Sequence, residues 1–566
     1  MENLFSTALG PIAVLWIGAL VFYILDHFLI PQDRGTAEPV VLILASVFML
    51  LSRGQIDVPL QFGAQAFEMA PTFVADETTW LLSLLLLGGM TMASLASIGE
   101  PPRGRAGRMA ALGAALTFLV AGDWATMTLA WVLVDLGLTY ALYTETEPSQ
   151  ALSRVVPLSL GGAALLGAGT TIGQIAGDSI VTETPIVGSL FMLAAVLRVL
   201  PVPLPSWQDL VETGDDPDTR PAMRALVYVL PPVMGIMLWA RLVAWIDLEG
   251  VRWLSLLPLW GGLALLAGAA RAWSVADPDE LVSTIGRYAR ALALVVVGAA
   301  LPQGFLPLLA GSLVLGVCGL LVVWSQCQYL DIFDVRSYWR AMPMLIVLLS
   351  LAGVPLTVGF AARISIHSAL YAGRRWFALL LWIGGEALFL GALLRVLFEL
   401  ECVPDMEDED QESSPLSLPA GWPSCIHDLV RQAGVDEWRE EMGYAAGTIV
   451  VLAVIALGLA PRTLSGTSLG GWFLIPTLPV WAGLLLPVVG ALAAYRSRDR
   501  LLDLATDWWP LFERLRPGKG VAEGIERLLH YVGTFIWGGT LVVEGAGYMA
   551  WVLLVCLVIV LFAISR

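Results

Sequence analysis

Charged side chains are scarce in this chain. They make up 14% of 566 residues, and lysine is represented by Lys519 alone. A globular domain of ordinary surface needs about 25% charge, so a water-soluble enzyme of this length is excluded. The five cysteines, Cys318, Cys327, Cys402, Cys425 and Cys556, form no CxxC pair and no metal-ligand spacing. The four histidines, His27, His367, His427 and His530, are scattered. No metal or haem site is expected. No Gly-rich loop follows a strand, no nucleophile elbow occurs, and no basic tract is present. Bound redox cofactors, nucleotides and nucleic acid are therefore not expected.

What fills the chain is apolar: 57% of it is hydrophobic, with mean hydropathy +0.77. A membrane-spanning helix takes about 20 such residues, and runs of that length recur throughout. The pattern predicts an all-α polytopic membrane protein of about sixteen spans. The first six centre near residues 18, 45, 87, 114, 134 and 165, and the seventh holds Arg198. Six more centre near 232, 262, 295, 315, 352 and 388, and the last three near 452, 485 and 553. A transmembrane β-barrel would show short alternating segments instead. The first run, ALGPIAVLWIGALVFYILDHFLI, is longer than a signal-peptide core and lacks a basic flank before Ala8; it reads as a retained helix.

The net charge of −17 is mostly local. Residues 401–441 carry twelve carboxylates against two arginines, as a solvated loop would; "DMEDEDQE" lacks the glycine of a calcium loop. Four regions follow: helices in 1–100, a transmembrane core in 101–400, the acidic loop in 401–443, and further helices in 444–566. In the last of these, residues 500–530 alternate apolar and charged residues with helical spacing, as an interfacial helix does. Arg103, Arg105 and Arg108, then Arg220, Arg224, Arg271, Arg336, Arg340 and the RSRDR of 496–500, fall on one side if the spans alternate. The other side has Arg53, Arg374, Arg375 and Arg462. Positive-inside logic makes the first side cytoplasmic, together with the acidic loop, and puts both termini outside.

Two stretches break an otherwise continuous apolar pattern. RVLPVPLPSW places Arg198 before Pro201, Pro203 and Pro205. SLAGVPLTVGFAAR places Pro355 and Gly359 before Arg363. A broken helix in lipid leaves amides and carbonyls unpaired, so it survives only buried in protein or lining a wet cavity. Two of them at corresponding places predict an inverted repeat with a path at mid-membrane, here near 107–245 and 255–400.

These stretches, with WRAMPMLIVLLSLAGVPLTVGFAAR at 339–363, resemble the antiporter-like proton-conducting membrane subunits of respiratory complex I. The same family includes Mrp-type cation/proton antiporters, membrane-bound hydrogenases and inorganic-carbon pumps. The resemblance covers roughly residues 70–400. It implies a glutamate on the fifth helix paired with a lysine on the seventh. Here the glutamate position holds Val132, with Asp135 one turn on, and the lysine position holds Arg198. The charged position after the second break is Arg363. The central lysine, expected near Leu315, has no counterpart. Arginine stays protonated at physiological pH, whereas a buried lysine readily shifts its pKa, so neither arginine can release a proton.

The expected polar groups of the path are therefore Arg198 with Asp135, and Arg363 with Glu386 and His367. The resemblance implies a subunit that takes part in proton or cation translocation in the cytoplasmic membrane, beside other membrane subunits and without a cofactor of its own. Two alternatives stay open: a degenerate scaffold that conducts poorly, and the membrane subunit of an inorganic-carbon pump.

Overall fold

The computed structural model describes residues 7, 9–28, 37–55, 60–61, 72–98, 104–145, 162–172, 185–199, 221–245, 252–275, 278–298, 305–327, 335–398, 435–460 and 478–504. The first break (Pro201, Pro203, Pro205), the acidic run 401–434, Lys519, and the expected span near 553 lie outside them.

Helices α1 (Leu9–Phe28) and α2 (Ala37–Leu51) form a hairpin. It packs on α3 (Glu77–Ala96) and α4 (Arg105–Val120), and α5 (Trp124–Glu145) packs on α4 and meets α1 where Tyr140 touches Tyr23. Then come α6 (Gly162–Ile172), α7 (Pro185–Val199) and α8 (Pro221–Trp245). The middle of the molecule is α9 (Leu257–Ser274), α10 (Ile285–Gly298) and α11 (Phe305–Cys327). The rest is α12 (Val335–Leu351), α13 (Val358–Ala372), α14 (Trp376–Phe398), α15 (Val435–Leu459) and α16 (Leu478–Arg496).

Eight helices among the described residues are long and apolar enough to span a membrane, and six shorter apolar helices accompany them. The window near residue 114 gives only the 16-residue α4, because Arg105 and Arg108 occupy its first turn. Helix α15 starts at Val435, inside the stretch expected as loop. Its "VDEWREE" carries good helix formers, and its acidic side chains favour a helix N-terminus.

Side-chain ties gather alternate helix ends together. At one end, Arg108 forms a bidentate pair with Glu38 (2.9 and 2.5 Å), Arg105 lies 4.8 Å over Phe22, and the Ala222 amide donates to Ser97 Oγ at 3.3 Å. At the other end, Trp80 Nε1 donates to the Met49 carbonyl at 2.7 Å, and Arg241 reaches the Ala121 and Leu119 carbonyls at the end of α4. A two-residue hairpin, Leu60–Gln61 against Thr72–Phe73, closes that end and bridges to Ala121. Helices α4 and α5 cross at reciprocal small-residue contacts. A Cβ on Gly107 would meet the Ala141 backbone at 2.4 Å, and one on Gly137 the Ala111 backbone at 2.6 Å. Close backbone approach of this kind drives association where lipid offers no hydrophobic incentive.

Asp123 ties the hairpin to the start of α5. Its carboxylate accepts from the Thr126 amide and hydroxyl (2.7 and 2.6 Å) and from the Thr72 amide and hydroxyl (both 2.8 Å). Partial burial pushes the Asp123 carboxyl up; the bonds from Thr126 and Thr72 outweigh it and hold the group below the usual carboxylate range. A carboxyl depressed in the folded state stabilises above its ordinary value and loses that contribution as pH falls through the folded one. Asp123→Ala should therefore cost about 1 kcal/mol at pH 7, as the loss of an N-cap does. The deficit should begin to shrink below about pH 4, where the unfolded chain's carboxyl protonates, and close only as pH falls through the lower folded-state value. Thermal melts of both proteins in detergent across pH measure this, and a deficit that grows in acid contradicts the assignment.

Candidate functional site

The first buried pair joins α5 and α7. Asp135 is the twelfth of 22 residues of Trp124–Glu145, so it lies about 16 Å from the helix ends at 1.5 Å per residue. Arg198, one residue before the end of α7, turns its guanidinium onto the Asp135 carboxylate, and both side chains are buried. Trp131, one turn before Asp135 on the same face, lies 4.3 Å under the guanidinium, and Met234 Sδ of α8 is 3.3 Å from Arg198 Nη2. The arginine thus has a carboxylate, an aromatic face and a thioether around it. A cation over a desolvated indole gains about 2 kcal/mol.

The second pair stands on an interrupted helix, and its sequence explains the interruption. Helix α12 stops at Leu351 with the two bonds of a Schellman motif: the Val354 amide reaches the Leu349 carbonyl (2.9 Å) and the Gly353 amide the Ser350 carbonyl (3.0 Å). Gly353 takes φ +70°, which glycine adopts without penalty. Pro355 follows and forbids continuation. Leu356, at φ 76°, is a bulky residue held in the left-handed region, a conformation that persists only where the surroundings enforce it. The chain restarts at Val358. Gly359 lies in that first turn rather than in the gap; a Cβ there would fall 1.8 Å from the Ser350 carbonyl. Helix α15 covers the break, with Gly458 against the Leu356 carbonyl and Thr357.

The Leu351 carbonyl, left over by the motif, accepts from Arg363 Nη2. The same nitrogen donates to the Tyr288 hydroxyl of α10 at 2.5 Å, while Nη1 meets the Glu386 carboxylate of α14. Glu386 is the eleventh of 23 residues in its helix and is wholly buried. Tyr288 stacks on Phe389 at 4.8 Å and 14°. Beside them a cavity of about 20 Å³ is lined by Tyr288, Leu292, Ser312, Ser350 and Arg363, room for about one water.

The structure thus brings Arg198 to Asp135, and Arg363 to Glu386. His367 is buried one turn beyond Arg363 but joins neither pair; its ring nitrogens have no hydrogen-bond partner among the described residues, and it faces Gly483 of α16. No cluster able to hold a metal occurs among those residues. Sequence reasoning missed Tyr288, Arg290, Met234 and the Glu38–Arg108 pair. For the first two, "GRYARALALVVVG" sets Arg287, Tyr288 and Arg290 at the head of an apolar run, and only the burial of Tyr288 and Arg290 in the fold marks them out.

The fold has counterparts among solved structures. A chain of the Mrp complex from Dietzia sp. DQ12-45-1b superposes with TM-score 0.69 over 99% of this chain, at 15% identity. The two share one fold. A chain of the membrane-bound sulfane sulfur reductase, an archaeal respiratory membrane complex, matches at TM-score 0.64, 16% identity, over 97% of this chain and 99% of its own. A chain of respiratory complex I from Thermus thermophilus matches at 0.59, 16% identity, over 84% and 99%. The protein spans 63% of the length of the Mrp chain. No protein-family model and no curated protein matches it.

Within this fold each charge depends on its partner. Removing one member of a buried pair leaves the other uncompensated, at a cost of about 3–5 kcal/mol. Arg198→Ala and Asp135→Ala should each lower the melting temperature and the yield of folded protein sharply, and the double change should cost less than the two singles added. Additive losses in melts of purified protein would show that the two side chains do not rely on one another.

Proposed function

We propose that this chain is an antiporter-like membrane subunit of an energy-converting complex, in which it takes part in moving protons or another cation across the cytoplasmic membrane. One observation carries the reading: an arginine–carboxylate pair at mid-helix depth lies beside each of two helix ends, α7 and α12, within a fold shared with chains of an Mrp complex and respiratory complexes. Intramembrane ionisable residues are costly and mark ion pathways. The proposal extends to sixteen spans, to inverted repeats near 107–245 and 255–400, to a first break at Pro201–Pro205, and to a cytoplasmic acidic loop in 401–443. Partner subunits supply the driving force, since nothing in the sequence binds a redox group or a nucleotide.

The division of labour follows from protonation chemistry. Arg198 and Arg363 keep their charge; they hold, orient and bias. Proton steps fall to groups that release, namely Asp135, Glu386 and water. A proton on Glu386 would loosen its hold on Arg363, which would still keep the Tyr288 hydroxyl and the Leu351 carbonyl.

A second reading, a poorly conducting scaffold, is favoured by how firmly Arg363 is held: Nη2 donates to a phenol and a carbonyl, and Nη1 is ion-paired to Glu386. Flux separates the two. In vesicles reconstituted with the purified complex, the scaffold reading expects no proton movement above protein-free vesicles. The transport reading expects movement that Glu386→Gln abolishes while assembly persists. Arg198→Lys should keep assembly and raise flux, because it returns a cation able to deprotonate. High wild-type flux lost in Arg198→Lys, with folding intact, would make Arg198 itself a participant and end its role as a fixed charge. Purification in mild detergent should retain other multi-pass subunits; a monodisperse, active monomer would sink the complex-subunit proposal.

A further inference from the structure

We infer that helix α10 is a mechanical link between the two buried ion pairs, with Tyr288 and Arg290 as its positioning residues. The two lie two residues apart, hence about 200° around the helix, and they face different neighbours. Tyr288 holds Arg363 at the second pair. Arg290, itself buried, directs Nε at 3.5 Å to the carbonyl of Val199, the last residue of α7 and the neighbour of Arg198. At both places an arginine meets a carbonyl where a helix ends: Val199 for α7 and Leu351 for α12. Carbonyls there lack intrahelical partners and carry the negative end of the helix dipole.

The helix is built to pass on a displacement rather than absorb it. Nearly every residue from Ile285 to Gly298 is buried, and α10 packs against α7, α8, α9 and α11. It is locked to α9 at two glycines. A Cβ on Gly261 would meet Val295 at 2.5 Å, and one on Gly298 would meet Leu257 and Pro258 at about 2.5 Å. A close-packed interior does not deform smoothly, so such a helix shifts as a body. The cavity beside Tyr288 leaves free space on the Arg363 side. Parting Glu386 from Arg363 therefore reaches α7 through Tyr288, α10 and Arg290. Use of this link in transport rests on the function proposed above; the coupling itself does not.

Deuterium exchange on the full chain in detergent tests it. Tyr288→Phe removes one hydroxyl and keeps the ring on Phe389. It should raise uptake in 185–199, on the far side of α10, and leave 105–145 unchanged. Arg290→Gln should do the converse and raise uptake in 351–363, with Arg290→Lys restoring the wild-type pattern. Changes confined to each residue's own side would overturn the link. So would a rise spread over every helix, which reports only loosening. Proton flux in vesicles is read separately: no flux with the crossed exchange pattern present removes the proposed function and leaves the link standing.

Discussion

A polar group inside a bilayer has no water to fall back on, and this fold is organised around that fact. Interrupting a helix exposes carbonyls that would otherwise be paired, at several kcal/mol each if left alone. At the α12–α13 gap nearly all of them are accounted for. Gly353 and Val354 close the Schellman bonds, Thr357 bonds back to Val354, the Gly359 amide finds Ser350 Oγ at 3.4 Å, and Arg363 takes the Leu351 carbonyl. The arginine then needs a counter-charge, which fixes Glu386 on α14, and its fork needs a third acceptor, which fixes Tyr288 on α10. One gap in one helix thereby dictates residues on two others.

The same logic gives arginine an advantage that lysine lacks. An ammonium is a compact point charge, whereas a guanidinium presents five donors in a plane and can serve a carboxylate and a carbonyl together. Arg363 does so. What is gained in holding the backbone is lost in chemistry, since the group never gives up its proton. The near absence of lysine is then more than compositional. Among buried charges it leaves only carboxylates able to release a proton, and Asp135 and Glu386 both sit near the middle of their helices.

Much of this was legible beforehand, for identifiable reasons. SLAGVPLTVGF announces its own gap, because glycine and proline act on the backbone locally and need no tertiary context. Arg198 and Asp135 could be matched because the family resemblance implies a carboxylate–cation pair at these positions, and a lone charge in lipid needs a partner. Tyr288 and Arg290 escaped notice because "GRYARALALVVVG" reads as an ordinary amphipathic helix edge; only packing shows that it is buried on all sides. Glu38–Arg108 joins residues 70 positions apart at helix starts, where charges look solvated in sequence. His367 went the other way: its spacing from Arg363 suggested a shared cluster, but the α13 face that carries it turns toward α16.

Because Arg198 with Asp135, and Arg363 with Glu386, each sum to zero charge, the membrane potential does no net work on either pair while it stays together. A single elementary charge crossing the whole field is worth about 2.3 kcal/mol per 100 mV; a pair that slides as a unit escapes that, and one that tilts feels the field only through its short dipole. Only separation exposes the charges to the field, with opposite sign for the two members. In electrical terms each pair is shaped like a latch: voltage has little purchase on it while it stays closed, and would bias its closing once the charges part.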